Sequence, residues 1–157
     1  MKTTPKTAPP AVPLKISDTK KLAQNVIDRI SRANIGSREQ ASVIGLYGDL
    51  GSGKTTFMQF FGEALGVKEK ILSPTFVIEK IYKIVHPNFD HLIHIDAYRL
   101  EGAKEMLNLG WAEISKNPRN IICVEWADRI AGLLPNDHVR IQFFHHDEES
   151  RIIILES

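Results

Sequence analysis

The stretch GLYGDLGSGKTTFMQ, Gly45 to Gln59, decides the fold: four glycines, a lysine and two threonines separate an apolar run from a segment rich in phenylalanine. Within it, Gly48-Asp49-Leu50-Gly51-Ser52-Gly53-Lys54-Thr55 satisfies the pattern G-x-x-x-x-G-K-[ST]. The run before it, Ser42 to Tyr47, has the length and apolar character of a buried strand. After it, Phe57, Met58, Phe61, Ala64 and Leu65 recur at helical spacing and Gly66 closes the pattern. Phosphate oxygens need several convergent N–H donors, which meet where glycines permit unusual dihedrals and a helix N-terminus adds its dipole. A strand-loop-helix unit with this spacing therefore predicts a nucleoside triphosphate cradle over Gly48, Asp49, Leu50, Gly51, Ser52, Gly53, Lys54, Thr55 and Thr56. Lys54 is expected to bridge the β and γ phosphates, and the Thr55 hydroxyl to ligate Mg²⁺.

Outward from the loop, strands and helices alternate. Behind a capping residue at Ser17 or Asp18, Leu22, Ala23, Val26, Ile27 and Ile30 mark an amphipathic helix that ends near Asn34-Ile35-Gly36. Phe76 to Val85 and His91 to Asp96 flank the turn HPNFD as one hairpin, and HVRIQFF and RIIIL flank HHDEES as a second. EGAKEMLNLGW reads as a helix stopped by Gly110, and NIICVEW as a buried strand. The expectation is an α/β fold: a P-loop NTPase sandwich whose mixed sheet, a parallel core with antiparallel hairpins, is flanked by helices.

Residues 1–14, with four prolines and few large apolar side chains, read as a mobile tail, leaving residues 15–157 as a single domain. Twenty Lys and Arg against nineteen Asp and Glu give a net charge of +1, which excludes a strong global field for nucleic acid or anionic membrane. No apolar run approaches the roughly 18 residues of a membrane span, and the N-terminus has no apolar signal region. The lone Cys123, in an apolar run, excludes an internal disulfide and suits a reducing compartment, so a cytoplasmic protein is expected.

A P-loop protein needs an acidic residue at the end of a neighbouring strand to hold Mg²⁺. Glu125, ending IICVE, is the first candidate as Mg²⁺ ligand; Asp96, ending LIHID, is then left to orient or deprotonate the attacking water, and the two roles can be exchanged. In SPTF, Ser73 to Phe76, Thr75 is either a switch-like residue presented to the γ phosphate or part of an ordinary Ser-Pro turn. Arg99 reads as a structural ion-pair partner, Tyr98 and Trp126 as packing aromatics or partner anchors, and the six histidines as solvent-facing.

Taken together and in this order, GDLGSGKTT, SPTF, HIDAYRL, VEW and LLP resemble the TsaE (YjeE) family, small P-loop ATPases of bacterial tRNA threonylcarbamoyladenosine biosynthesis. The resemblance runs from about Ser17 to the C-terminus, departing in Ser52, where alanine is usual, and in the proline-rich tail. It implies ATP and Mg²⁺ as cofactors, slow ATP hydrolysis, and action with the TsaB and TsaD proteins, so that tRNA is met only through that complex. On the matching positions it implies the phosphate loop at Gly48 to Thr56, Mg²⁺ ligands at Thr55 and Glu125, a switch-like catalytic role for Thr75, and catalytic roles for Asp96 and Lys54. Asp18 and Thr19 would lie near the nucleotide base.

Two other classes compete. A small-molecule kinase shares the P-loop, but such kinases carry an arginine-rich lid, and no arginine lies between Gly102 and Pro118. A GTP switch needs an N-K-x-D loop, for which SKNP is no substitute.

Overall fold

The computed structural model describes residues 13–33, 39–49, 51–72, 77–148 and 150–156. Among them, strands β1 (Pro13–Lys15), β2 (Ser42–Tyr47), β3 (Glu79–Lys83), β4 (His91–Asp96), β5 (Asn120–Glu125), β6 (Val139–His145) and β7 (Ser150–Glu156) form one sheet in the order β1-β7-β6-β2-β5-β4-β3. β2 lies parallel to both β5 and β6, and β4 lies parallel to β5. The β3–β4, β6–β7 and β1–β7 pairs are antiparallel, so the mixed sheet expected from the sequence is the one that forms. Every residue of β2 and β5 is buried, which is why both read as unbroken apolar runs rather than alternating ones.

Side chains alternate across the sheet and separate two cores. On one face Ile44, Leu46, Leu92, Ile121, Cys123 and Ile141 meet helices α1 (Ile16–Ala33) and α2 (Lys54–Ala64). On the other, Val43, Ile93, Ile95, Ile122 and Val124 meet α3 (Ala103–Asn108), α4 (Trp111–Lys116) and a 3-10 segment, Ala127–Leu133. Burial of Ala23, Val26, Ile27 and Ile30 ties α1 to the sheet and to α2. Each large aliphatic side chain so buried contributes about 1.5–3 kcal/mol. The start of α1 is fixed by the Lys15 N–H, which donates to Asp18 Oδ2 at 3.1 Å, a first-turn carboxylate reaching back to the cap.

Several expectations are corrected. The boundary of the tail moves: Pro13 and Leu14 belong to β1, paired opposite Ile152 and Arg151, while residues 1–12 lie outside the described residues. An edge strand tolerates proline because one side of its backbone has no ladder partner to satisfy. Gly110, read as a helix stop, also starts the next helix; at φ 97° it takes the left-handed turn that lets α4 begin at Trp111. Trp111 is thereby buried in the second core at 5% exposure. None of the described helices is long and apolar enough to cross a membrane.

Candidate functional site

The parallel register brings the loop after β2 and the ends of β4 and β5 together. Leu46 and Asp96 both lie opposite Glu125, so the Asp96 and Glu125 carboxylates project from neighbouring strand ends onto the face covered by α2. Ligands of parallel sheets bind outside these carboxyl ends, where strand crossovers leave a crevice. Two like charges directly opposite cost stability, and the Lys54 ammonium beside them offsets part of that cost.

The loop itself has the backbone a cradle requires. Gly48 has φ +145°, and a Cβ there would stand 2.4 Å from the Phe143 carbonyl oxygen; Gly51 and Gly53 are also left-handed, at φ +74° and +106°. The Asp49 carbonyl accepts the Ser52 N–H at 3.2 Å, closing the loop on itself, while the Ser52 side chain turns inward, with its Oγ buried and without a partner among the described residues. Gly53 caps α2 through backbone alone: no side chain caps the helix and no acidic residue stands in its first turn. The helix N-terminus therefore keeps N–H donors and positive dipole for an anion. Thr55 is exposed and Thr56 half-buried at the start of α2.

Lys54 is 5% exposed. Its ammonium donates to the Gly48 carbonyl and lies 4.1 Å from the centroid of the Trp126 ring, a cation–π contact. Burial lowers its pKa, and the nearby carboxylates of Glu125, Asp96, Asp49 and Asp128 oppose that shift. Lys54, Asp96 and Glu125 are thus one electrostatic unit. Trp126 reaches Lys54 because its backbone is left-handed, φ 57° and ψ 44°, the one positive φ outside glycine among the described residues. Such a conformation costs on the order of 1–3 kcal/mol and persists where surrounding contacts enforce it. Tyr98 closes the group, its ring 5.0 Å from Trp126, and the Tyr98 N–H donates to Asp96 Oδ1 at 3.0 Å.

Histidine is where the sequence reading fails. His94 is not solvent-facing: it has no exposed surface, and its Nε2 donates to Glu125 Oε2 at 2.7 Å. The signal was present, since His94 stands two residues before Asp96 in a strand and must share its face. Of the other expected site residues, Thr19 is buried in the first turn of α1, where its hydroxyl donates to the Lys15 carbonyl at 3.4 Å. Leu50 and Thr75 lie outside the described residues.

The residues present fit a magnesium nucleotide. The cradle is one that a Cβ at Gly48 would fill, the helix start lacks a side-chain cap, and a lysine and two carboxylates converge beside it. Among the described residues no group of three or more His, Cys, Asp or Glu side chains could hold a metal ion by itself.

Comparison with known proteins matches residues 15–153 to the family model of the threonylcarbamoyl adenosine biosynthesis protein TsaE. The tRNA threonylcarbamoyladenosine biosynthesis protein TsaE of Nostoc sp. PCC 7120 is 36% identical over 133 residues, covering 79% of this chain and 78% of that protein. Its counterpart from Bacillus subtilis strain 168 is 34% identical over 124 residues, covering 79% and 75%. The crystal structure of YdiB from the same genus superposes with a TM-score of 0.55 at 27% identity, covering 92% of this chain and 86% of that one.

Proposed function

The chain belongs to the TsaE family of threonylcarbamoyl adenosine biosynthesis proteins, and from that premise we propose that it binds and hydrolyses ATP to support threonylcarbamoyladenosine formation in tRNA. The observation that carries the reading is the convergence of an uncapped, glycine-cradled helix start with the buried Lys54 ammonium and the registered carboxylates of Asp96 and Glu125. Bound there with Mg²⁺, ATP supplies a γ phosphate whose transfer to water releases free energy for a conformational cycle.

Each residue has a role in this reading. The backbone of Gly48 to Thr56 donates to phosphate oxygens, and Lys54 exchanges the Gly48 carbonyl for the β and γ phosphates. Thr55 and Glu125 hold Mg²⁺. Asp96 orients the attacking water or takes its proton, and Thr75 senses the γ phosphate. Thr19 enters through the family resemblance alone, since its hydroxyl is engaged by Lys15. The cycle drives docking to, or resetting of, a complex of TsaB and TsaD proteins, through which tRNA is reached.

Lys54→Ala tests the reading. Removing the main charge contact to the phosphates should weaken ATP binding at least tenfold, about 1.4 kcal/mol or more. It should also lower the yield of modified tRNA in a reaction reconstituted with TsaB and TsaD, and abolish any ATP-dependence of their retention in a pull-down. Full modification yield from this variant would overturn the proposal, as would transfer of labelled γ phosphate to a metabolite instead of water.

A further inference from the structure

We propose that His94 is a positioning residue for Glu125, holding Oε2 so that the other carboxylate oxygen, Oε1, is presented to the metal of a bound nucleotide. The inference rests on the nucleotide reading above.

The geometry begins with register. His94 lies opposite Cys123 on the neighbouring strand, one diagonal step from Glu125, and both side chains project onto the face covered by α2. Diagonal neighbours are within reach of long side chains, and the imidazole spans the gap with a 2.7 Å hydrogen bond from Nε2 to Oε2. Both partners are shielded from water, at 0% and 5% side-chain exposure. A short contact in so dry a setting restricts the carboxylate to one orientation.

A structural role alone accounts poorly for this arrangement. Leu92, two residues earlier on the same face, is fully buried in the apolar core, and apolar side chains at both 94 and 125 would extend that packing without a polar cost. Instead, His94 brings a second nitrogen, Nδ1, that is buried and has no hydrogen-bond partner among the described residues. Burying a polar atom unsatisfied is a loss. Buried polar pairs are in general weak devices for stability, so the gain is better sought in what the pair positions. What it positions is the carboxylate directly opposite Asp96 and beside Lys54. Loss of a hydrogen bond that orients a metal-binding carboxylate typically costs about 10–100-fold in metal affinity.

The experiment compares ATP binding with and without Mg²⁺ for the full-length wild type and three variants, with thermal melts as a check on folding. In His94→Gln an amide nitrogen falls near the former Nε2; in His94→Asn it falls short; in His94→Leu the donor is gone. The expected result is that metal-free ATP binds all four proteins alike. The enhancement of affinity by Mg²⁺ should fall about tenfold in His94→Leu and His94→Asn and recover in His94→Gln. Should His94→Leu fail to fold, the contrast between Asn and Gln decides the matter. Equal enhancement in Asn and Gln variants would overturn the inference, as would loss of metal-free ATP binding in step with the metal effect, which indicates a general collapse. A wild type whose affinity for ATP is indifferent to Mg²⁺ would overturn the nucleotide reading together with this one.

Discussion

Lys54 shows how one side chain carries a cost that the fold accepts. Its ammonium is nearly removed from water, held by a carbonyl of its own loop and the face of Trp126. Burial lowers its pKa below the ordinary 10.5, with Glu125 and Asp96 opposing the shift. The sign of the pH effect follows. Between the lowered native pKa and the unfolded value, the unfolded chain binds more protons than the native one, so stability rises with pH through that window. Below the native pKa the penalty is fully present. Urea unfolding of wild type and Lys54→Met without nucleotide, from pH 7 to pH 10, should therefore show the wild type gaining on the variant as pH rises; a difference constant with pH contradicts the account. The sequence revealed Lys54 through the spacing of its glycines, and Asp96 and Glu125 through their places at strand ends. His94 escaped because burial on a sheet face depends on which helix covers it, and composition does not carry that information.

Among the elements, the loop after β2 depends on a strand that is distant in sequence. Gly48 approaches β6 so closely that a methyl group would strike the Phe143 carbonyl oxygen, and its φ of +145° disfavours any other residue. Phe143 lies opposite Ile153 in the β6–β7 ladder, so its backbone cannot withdraw freely. Gly48→Ala should destabilise the protein by roughly 2–4 kcal/mol, the sum of backbone strain and steric overlap. The check is a lowered urea midpoint with an unchanged m-value; a change within 0.5 kcal/mol, the ordinary range of a surface substitution, would refute it. The α2 pattern and the two hairpins were legible because periodicity and turn residues are local. The break at Gly110 was not fully legible, since a left-handed glycine both ends one helix and starts another, and burial of Trp111 selects the second course.

For the whole molecule, bound nucleotide should act as a stabiliser. A ligand at about 100 times its dissociation constant adds about 2.7 kcal/mol to a protein that binds it only when folded. For a domain of this size that corresponds to a rise in Tm of about 5–10 °C. Differential scanning calorimetry with saturating ATP and Mg²⁺ should show that rise in the wild type and little of it in Lys54→Ala. A wild-type Tm indifferent to ATP would count against the cradle itself.

At this scale the division between sequence and structure is clear. The sequence by itself determined the P-loop unit, the alternation of strands and helices, the mixed sheet and the family, because spacing, periodicity and motif order are properties of the chain read in a line. Only the tertiary structure decided that Pro13 to Lys15 adds an edge strand, that His94 holds Glu125, and that Trp126 lies over Lys54. Each of these joins residues far apart in sequence, and such contacts are set by strand register and by the packing of helices on particular faces, which come into being only when the chain closes on itself.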